Sequence, residues 1–239
     1  MTWSIIARDA ATGDLGIAIA SRVIAVGAVC PWLKAGVGAV STQSYTNPLY
    51  GEDVLAAMAA GLDPEAAIGQ TTAADGGQDW RQVHAVDARG RVFAYTGGSC
   101  VDWHGSAAGD GVSVAGNMLA GPDVVAATLA AWEAGGDKAF PRRLLDALIA
   151  GDAAGGDKRG KQSAALKVAG VERLLKIDLR VDEAAEPLPE LSRILDLFLA
   201  ERAPYYAALA TRRRPAGYFT PEDREAIAAG YRKARGIEP

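Results

Sequence analysis

Hydrophobic residues along the chain fall into short strand-like runs and longer helical stripes. Residues 3–7 and 15–20 are apolar runs of strand length, and the stretch between them contains Thr12-Gly13, so this segment predicts a β-hairpin. Residues 23–29 and 36–41 continue as apolar, glycine- and alanine-rich segments, and residues 82–88 with 91–96 predict a second hairpin. Later strands are expected at 112–117, 162–168 and 174–181, with a loop over 97–111.

Helical spacing of apolar residues predicts two pairs of helices between these strands. They cover residues 52–61 and 64–74, then 123–134 and 141–150, and a further amphipathic helix is expected over 187–202. Asp63 precedes Pro64 as an N-cap, and Thr220 with Asp223 caps a final helix that begins at Pro221. The order of elements therefore favours two strand layers with two helical layers.

Polar residues follow two of the predicted strands directly. Thr42, Gln43 and Asn47 leave the strand that ends at residue 41, and this is where site loops tend to lie, although a plain strand-to-helix turn has the same composition. Asn117 ends the strand over 112–117, where its amide is suited to stabilising an oxyanion and equally suited to forming a turn. We treat the first three as candidate substrate-binding residues and Asn117 as a candidate catalytic residue.

The glycine-rich segment 151–160 carries a local group of charges. Asp157, Lys158 and Arg159 lie in it, and Lys161 follows. The spacing is not that of a phosphate-binding loop, because a strand rather than a helix comes next. The segment predicts either a substrate-binding loop that selects a carboxylate or a solvated basic turn.

Composition and charge exclude several classes of function. The 239 residues are 49% hydrophobic, which is enough for a full core. The net charge is −4 and the charged residues are dispersed, so the sequence has no basic stripe that would bind nucleic acid. No apolar run approaches the roughly 18 residues that cross a bilayer. Two cysteines and two histidines without ligand spacing argue against a zinc site, so we expect no metal and no cofactor. Without a basic and apolar leader, a cytoplasmic protein with reduced thiols is expected.

Thr2 brings a possible nucleophile to the start of the first strand. Methionine is normally removed before a small residue, so loss of Met1 would leave Thr2 with both a hydroxyl and a free α-amine. An α-amine titrates near pH 8 and can accept the proton of the hydroxyl on the same residue. The alternative is that Thr2 is simply a strand-favouring residue at the chain start.

Six segments resemble one bacterial family, in the family's order. They are TWSIIARD at 2–9, GIAIASR at 16–22, TNPLYG at 46–51, YTG at 95–97, GNMLAG at 116–121 and GGDKRGKQSAAL at 155–166. The family is the domain of unknown function numbered 1028, assigned to the N-terminal nucleophile (Ntn) hydrolase superfamily. The resemblance covers residues 1 to about 200. It implies an α+β fold, a four-layer αββα sandwich with the nucleophile at the start of a central strand.

A more distant similarity is to proteasome-type subunits, whose first hairpin also begins at a catalytic threonine. Ser21-Arg22 matches the end of their second strand, whereas Ala20 stands where they carry an acidic residue. Lys34 is the nearest counterpart of their catalytic lysine, at the start of the strand over 36–41, and a solvated lysine is the competing interpretation.

These observations lead to one functional hypothesis and two alternatives. The first is an amidohydrolase that cleaves a small molecule or peptide with Thr2 as nucleophile. The second is a catalytically inactive binding or scaffold protein with the same fold, and the third moves the nucleophile to Ser4, for which no base is evident nearby. We expect an Ntn-like domain over 1–202, a short helical extension over 203–239, and a homo-oligomer.

Overall fold

The N-terminal hairpin forms the centre of the larger of two sheets. β1 (Thr2–Arg8) and β2 (Leu15–Ser21) pair antiparallel, as the sequence predicts. The six strands have the order β10-β9-β2-β1-β8-β7. The other four members are β7 (Gly105–Gly109), β8 (Val112–Asn117), β9 (Ser163–Ala169) and β10 (Leu175–Val181). All of β2 and all of β1 except Arg8 are buried, which explains why their sequences are apolar without strict alternation.

The smaller sheet has four antiparallel strands in the order β3-β4-β5-β6. They are β3 (Pro31–Lys34), β4 (Gly38–Ser44), β5 (Arg81–Asp87) and β6 (Val92–Thr96). β5 and β6 form the second predicted hairpin, closed by a turn in which Gly90 has a φ of 86°.

Helices cover the outer face of each sheet. α2 (Leu49–Ala59) and α3 (Pro64–Ala73) share an apolar cluster with the small sheet that includes Val40, Val54 and Val83. α4 (Asp123–Ala134) and α5 (Phe140–Ala153) pack on the large sheet, where the Trp3 indole donates a hydrogen bond of 3.3 Å to the carbonyl of Leu148. The expected α+β four-layer αββα sandwich is confirmed.

The two sheets face one another through alternate residues of β1. Thr2, Ser4 and Ile6 point toward the small sheet, whereas Trp3 and the other odd-numbered residues point toward α5. One end of this interface is apolar and contains Ile6, Leu15, Ile17, Ala39 and Val86. The other end is polar, and it is the end at which β1 begins.

Three local expectations are wrong. Residues 23–29 do not extend as a strand, since they form a turn followed by the short helix α1 (Val26–Val29). β4 continues to Ser44, so Thr42 and Gln43 lie in a strand rather than in a loop. The predicted loop over 97–111 contains the edge strand β7, whose glycine-rich sequence GSAAG carries little strand signal.

The structure is a computed structural model that describes residues 2–170, 175–212, 214–217 and 220–234. Residue contacts divide the chain into two units, 1–188 and 189–239. The expected boundary after residue 202 stays a prediction, and the fate of Met1 lies outside the described residues.

The second unit is helical. Its elements are α6 (Pro187–Glu201), which begins just before the division, α7 (Ala203–Ala207) and α8 (Pro221–Ala234). The predicted cap of α8 is confirmed, because the Thr220 hydroxyl accepts a hydrogen bond of 3.2 Å from the Asp223 amide. Among the described residues of the whole chain, we find no helix long and apolar enough to cross a membrane.

Candidate active site

Thr2 lies at the polar end of the interface between the sheets, on the central strand of the large sheet. The register places it opposite Ser21 of β2 on one side and Asn117 of β8 on the other. Its side chain is 4% exposed, and its hydroxyl oxygen lies 3.0 Å from the Ser21 hydroxyl oxygen. The three residues therefore form a row across the strand ends that faces the small sheet.

A cavity of about 210 Å³ opens beside this row. It is lined by Ser44, Tyr45, Val101, Asn117, Met118 and Arg159. Asn117 thus belongs both to the strand row that contains Thr2 and to the wall of the cavity. Ser44 and Met118 have φ angles of 72° and 54°, a left-handed conformation that costs non-glycine residues about 1–3 kcal/mol each. Both strained residues lie at the rim, where β4 and β8 end.

A chain of side-chain amides connects Asn117 to the interior. The Asn117 amide nitrogen donates to the Gln82 side-chain oxygen at 2.9 Å, and the Gln43 amide nitrogen donates to the same oxygen at 2.8 Å. The Gln82 nitrogen donates in turn to the Gly116 carbonyl and the Thr96 hydroxyl. Because Gln82 has both its oxygen and its nitrogen occupied, the Asn117 amide is held in one orientation.

The same chain continues to a buried histidine. The Ser4 hydroxyl donates to the Gln43 side-chain oxygen at 2.8 Å and lies 2.8 Å from His84 Nε2. His84 Nδ1 is 3.0 Å from the Ser113 hydroxyl, so both ring nitrogens have partners. Burial lowers the pKa of His84 to about 3, and the ring is neutral at physiological pH. This is the hydrogen-bonded sheet histidine that its place in a strand predicts.

Ser4 has a histidine nitrogen within 2.8 Å, but the single Ser4 proton is donated to Gln43, so His84 Nε2 donates to the Ser4 oxygen rather than acting as its base. Ser4 and His84 are both completely buried between the sheets. A substrate would reach this hydroxyl only if the two sheets separated, which would expose the core of the sandwich. Thr2 is also buried, but its register neighbour Asn117 lines a cavity, so Thr2 lies nearer to a route for a substrate than Ser4 does.

Lys34 is not brought to this site. It ends β3 rather than starting the next strand, its side chain is exposed, and it pairs with Gly38 at the first residue of β4. β4 reaches the cavity only at Ser44, roughly 20 Å farther along at 3.3 Å per residue. The distance removes Lys34 from the candidate catalytic group.

Ala20 stands where proteasome-type subunits carry an acidic residue, but this difference does not change the surroundings of the Thr2 hydroxyl. It is opposite Trp3, whose side chain faces α5, so a carboxylate at position 20 would point away from Thr2. Ser21 is the β2 residue whose side chain meets the Thr2 hydroxyl. The absent carboxylate is therefore no loss from the sheet face that carries Thr2.

The three candidate binding residues after residue 41 have structural partners instead. Thr42 is buried toward α2 and donates to the Asn47 carbonyl at 3.0 Å. The Asn47 side chain accepts from the Leu49 amide at the start of α2 and donates to Asp75. Gln43 belongs to the interior amide chain. Ser44 and Tyr45, from the same segment, are the residues that line the cavity.

The charged loop is brought to the cavity through one of its side chains. Arg159 lines it, whereas Lys158 donates to the Asp102 carbonyl at 2.8 Å. The Asp157 side chain is buried and accepts from the Arg159 amide at 2.8 Å, and its backbone forms an isolated bridge with Leu119, two residues after Asn117. These contacts fix the loop against the end of β8.

Sequence reasoning missed Ser21 and Gln82, which contact Thr2 and Asn117. Ser21 gave no reliable signal, because the connection between β1 and β2 spans residues 9–14, and a two-residue turn at Thr12-Gly13 would pair Thr2 with Val23 instead of Ser21. Gln82 gave no signal either, since a glutamine at a strand start is usually solvated. Within the described residues, no group of three or more His, Cys, Asp or Glu side chains is arranged to hold a metal ion.

Comparisons with known proteins give one family and two related structures. A family model described as a family of unknown function, DUF1028, matches residues 2–191. A crystal structure of a protein from Silicibacter pomeroyi, assigned to the same family model, is 30% identical with a TM-score of 0.85 and covers 92% of this chain and 96% of its own. Anbu, an ancestral β-subunit from Yersinia bercovieri, is 10% identical with a TM-score of 0.40, covering 87% and 98%. No curated protein matches.

Proposed function

Since the chain belongs to the DUF1028 family, whose function is unknown, we propose an activity from its site: hydrolysis of an amide bond with Thr2 as the nucleophile. The observation that carries the proposal is the place of Thr2. It begins the central strand, and its register neighbour Asn117 lines an open cavity. The αββα layers and the resemblance to Ntn hydrolases support the same assignment.

The proposed reaction uses only groups at the start of β1 and the end of β8. After removal of Met1, the Thr2 α-amine accepts the proton of the Thr2 hydroxyl as its oxygen attacks the carbonyl carbon of the substrate. The amine then passes this proton to the leaving nitrogen as the C–N bond breaks, which leaves an ester on Thr2. Water, deprotonated by the same amine, hydrolyses the ester and restores the hydroxyl.

Asn117 has the role of stabilising the tetrahedral intermediate. Gln82 occupies one N–H of the Asn117 amide, which leaves the second N–H for the negative oxygen that develops on the substrate. Because the Gln82 contact fixes the amide in advance, little reorganisation is needed when the charge appears. Ser21 orients the Thr2 hydroxyl before the attack.

A non-catalytic binding protein is the second candidate. Within the part of the chain that the structure describes, the Thr2 hydroxyl bonds to the neutral Ser21 hydroxyl, and neither a lysine nor a carboxylate contacts it. An active site of this kind therefore depends entirely on the α-amine as base. The hydrolase therefore requires a free α-amine on Thr2, whereas the binding protein does not.

Intact-mass spectrometry of the purified protein tests the proposal. The hydrolase requires a mass that lacks one methionine residue, and N-terminal sequencing should then begin at Thr2. Retention of Met1 on the whole population would leave no free α-amine on Thr2 and would favour the binding protein.

A further inference from the structure

A second, larger cavity adjoins the candidate active site. Its volume is about 390 Å³, and it is lined by Arg22, residues 159–162 and residues 183–186. Arg159 lines this cleft and also the smaller cavity that contains Asn117. A molecule that occupies the smaller cavity beside Asn117 therefore reaches Arg159, the wall residue that both cavities have in common.

Most charges in the cleft neutralise one another. Lys161 lies 3.0 Å from Asp152 and 3.1 Å from Glu186, which satisfies its ammonium group. Arg22 donates to the neutral side-chain oxygen of Gln162 at 2.7 Å, and in the described ranges no carboxylate lies within ion-pair distance of it. Arg22 is thus a guanidinium group with unused donors on the wall of a polar cleft.

Arg22 and Arg159 are both held close to Thr2 by the fold. Arg22 follows Ser21, the residue whose hydroxyl contacts the Thr2 hydroxyl. Arg159 is fixed by the buried Asp157 carboxylate, which accepts from its backbone amide and lies 3.5 Å from its guanidinium. That second contact is too long for a hydrogen bond, so the guanidinium keeps its donors for a ligand.

We infer that Arg22 and Arg159 bind a carboxylate of the substrate, and that the substrate class is an amide of an acidic molecule. The inference rests on the proposed function for the reacting bond but concerns a different part of the site. The expectation that Lys158, Arg159 and Lys161 together bind the carboxylate is replaced, because both lysines are engaged elsewhere. Arg22, the second arginine of the cleft, is the residue after β2. Two guanidinium groups provide the paired donors that a carboxylate accepts.

Calorimetric titration of the Thr2→Ala variant tests this subsite without any turnover. The probes are N-acetylglutamate and its neutral diamide, which match in shape and differ in charge. We expect the acid to bind and the diamide to bind at least about tenfold more weakly. Arg22→Ala and Arg159→Ala should each weaken binding of the acid about tenfold and leave the diamide within about twofold.

Two further variants separate charge recognition from a general effect on folding. Glu183 lies in the same cleft, so Glu183→Gln should tighten binding of the acid, which no loss of structure would do. Lys158→Ala serves as the matched control from the same loop and should change nothing. Equal binding of acid and diamide, no binding of either, or an Arg22→Ala variant that binds as the parent does would overturn the subsite. If the acid binds but an electrophilic probe does not acylate Thr2 in the wild-type protein, the carboxylate subsite is supported and the proposed hydrolase activity is contradicted.

Discussion

The Ser4 hydroxyl oxygen lies 2.8 Å from Nε2 of His84, and both side chains are completely buried between the two sheets. The distance is short enough for a nucleophile and its base, but Ser4 donates its proton to Gln43, so His84 Nε2 donates to Ser4, and the burial of both side chains leaves no path for a substrate. Burial keeps His84 neutral, and Ser113 occupies its other nitrogen. The pair therefore joins the two sheets. The reactive hydroxyl that we propose belongs to Thr2, two residues before Ser4 on the same face of β1.

His84 should make the stability of the fold depend on pH. Its pKa is lowered from 6.5 to about 3, so the unfolded chain binds a proton in this range that the folded chain does not. The resulting stability is fully present above about pH 6.5 and is lost as the pH falls toward about 3. In His84→Gln, we expect the slope of unfolding free energy against pH to decrease by up to about 1.4 kcal/mol per pH unit.

Urea denaturation at several pH values between about 4 and 7 measures this slope. Thr96→Val in the neighbouring strand β6 removes no titratable group, so it is the control and should keep the wild-type slope. Identical slopes for wild type and His84→Gln would show that His84 is not buried in its neutral form.

Gln82 should act on the active site through Asn117. Gln82→Met removes the acceptor that fixes the Asn117 amide and leaves buried N–H groups without a partner, at a cost of about 1–3 kcal/mol for each. We expect lower stability and also slower acylation of Thr2 by an electrophilic probe. Thr96→Val removes a different partner of the same Gln82 amide, and its acylation rate should stay that of the wild type. Equal slowing in both variants would contradict a positioning role.

Asn117 should contribute directly to acylation. Removing one oxyanion donor typically slows a hydrolase by about 10²–10³-fold, so Asn117→Ala should slow the acylation of Thr2 by roughly that factor. Stopped-flow or quenched mass spectrometry of the acylated fraction gives the rate, and a melting curve shows whether the variant is folded. A folded Asn117→Ala protein that acylates at the wild-type rate would remove Asn117 from the catalytic group.

The sequence predicts the fold well because local patterns and the actual layers agree. Thr12-Gly13 predicts the first hairpin, and Asp63 before Pro64 begins α3, with its carboxylate accepting from the Ala66 amide at 2.9 Å. From the sequence, Gln43 is expected in a loop, because polar residues on a buried strand face are rare. Here they lie on that face because the sheets meet through a hydrogen-bonded polar layer.

The sequence gives candidates for the site only where one residue is sufficient. Thr2 is proposed from its place in the chain and Asn117 from the strand that it ends, and both roles stay predictions. Arg22 and Arg159 are 137 positions apart in sequence, and their shared cleft depends on which strands and loops are neighbours in the fold. The position of Lys34 could not be predicted for the same reason, because its distance from Thr2 is set by the pairing of β3 with β4.

The α-amine of Thr2 should be as necessary as its hydroxyl. Insertion of a lysine between Met1 and Thr2 retains the hydroxyl but blocks removal of methionine and places a peptide bond where the amine would be. We expect this insertion to abolish acylation, whereas Thr2→Ser, which keeps both groups, should retain it. Measurement of the acylated fraction by intact mass compares the two, and acylation of the insertion variant would show that another base serves the hydroxyl.

The most direct measurement of the central claim is the identity of the residue that an amide-hydrolase electrophile modifies. Wild type, Thr2→Ala and Ser4→Ala proteins are treated with a β-lactone probe, and the adduct is located by peptide mass spectrometry. We predict an adduct on the Thr2 hydroxyl in wild type and in Ser4→Ala, and none in Thr2→Ala. An adduct that persists in Thr2→Ala, or a wild-type protein that the probe leaves unmodified, would contradict Thr2 as the nucleophile.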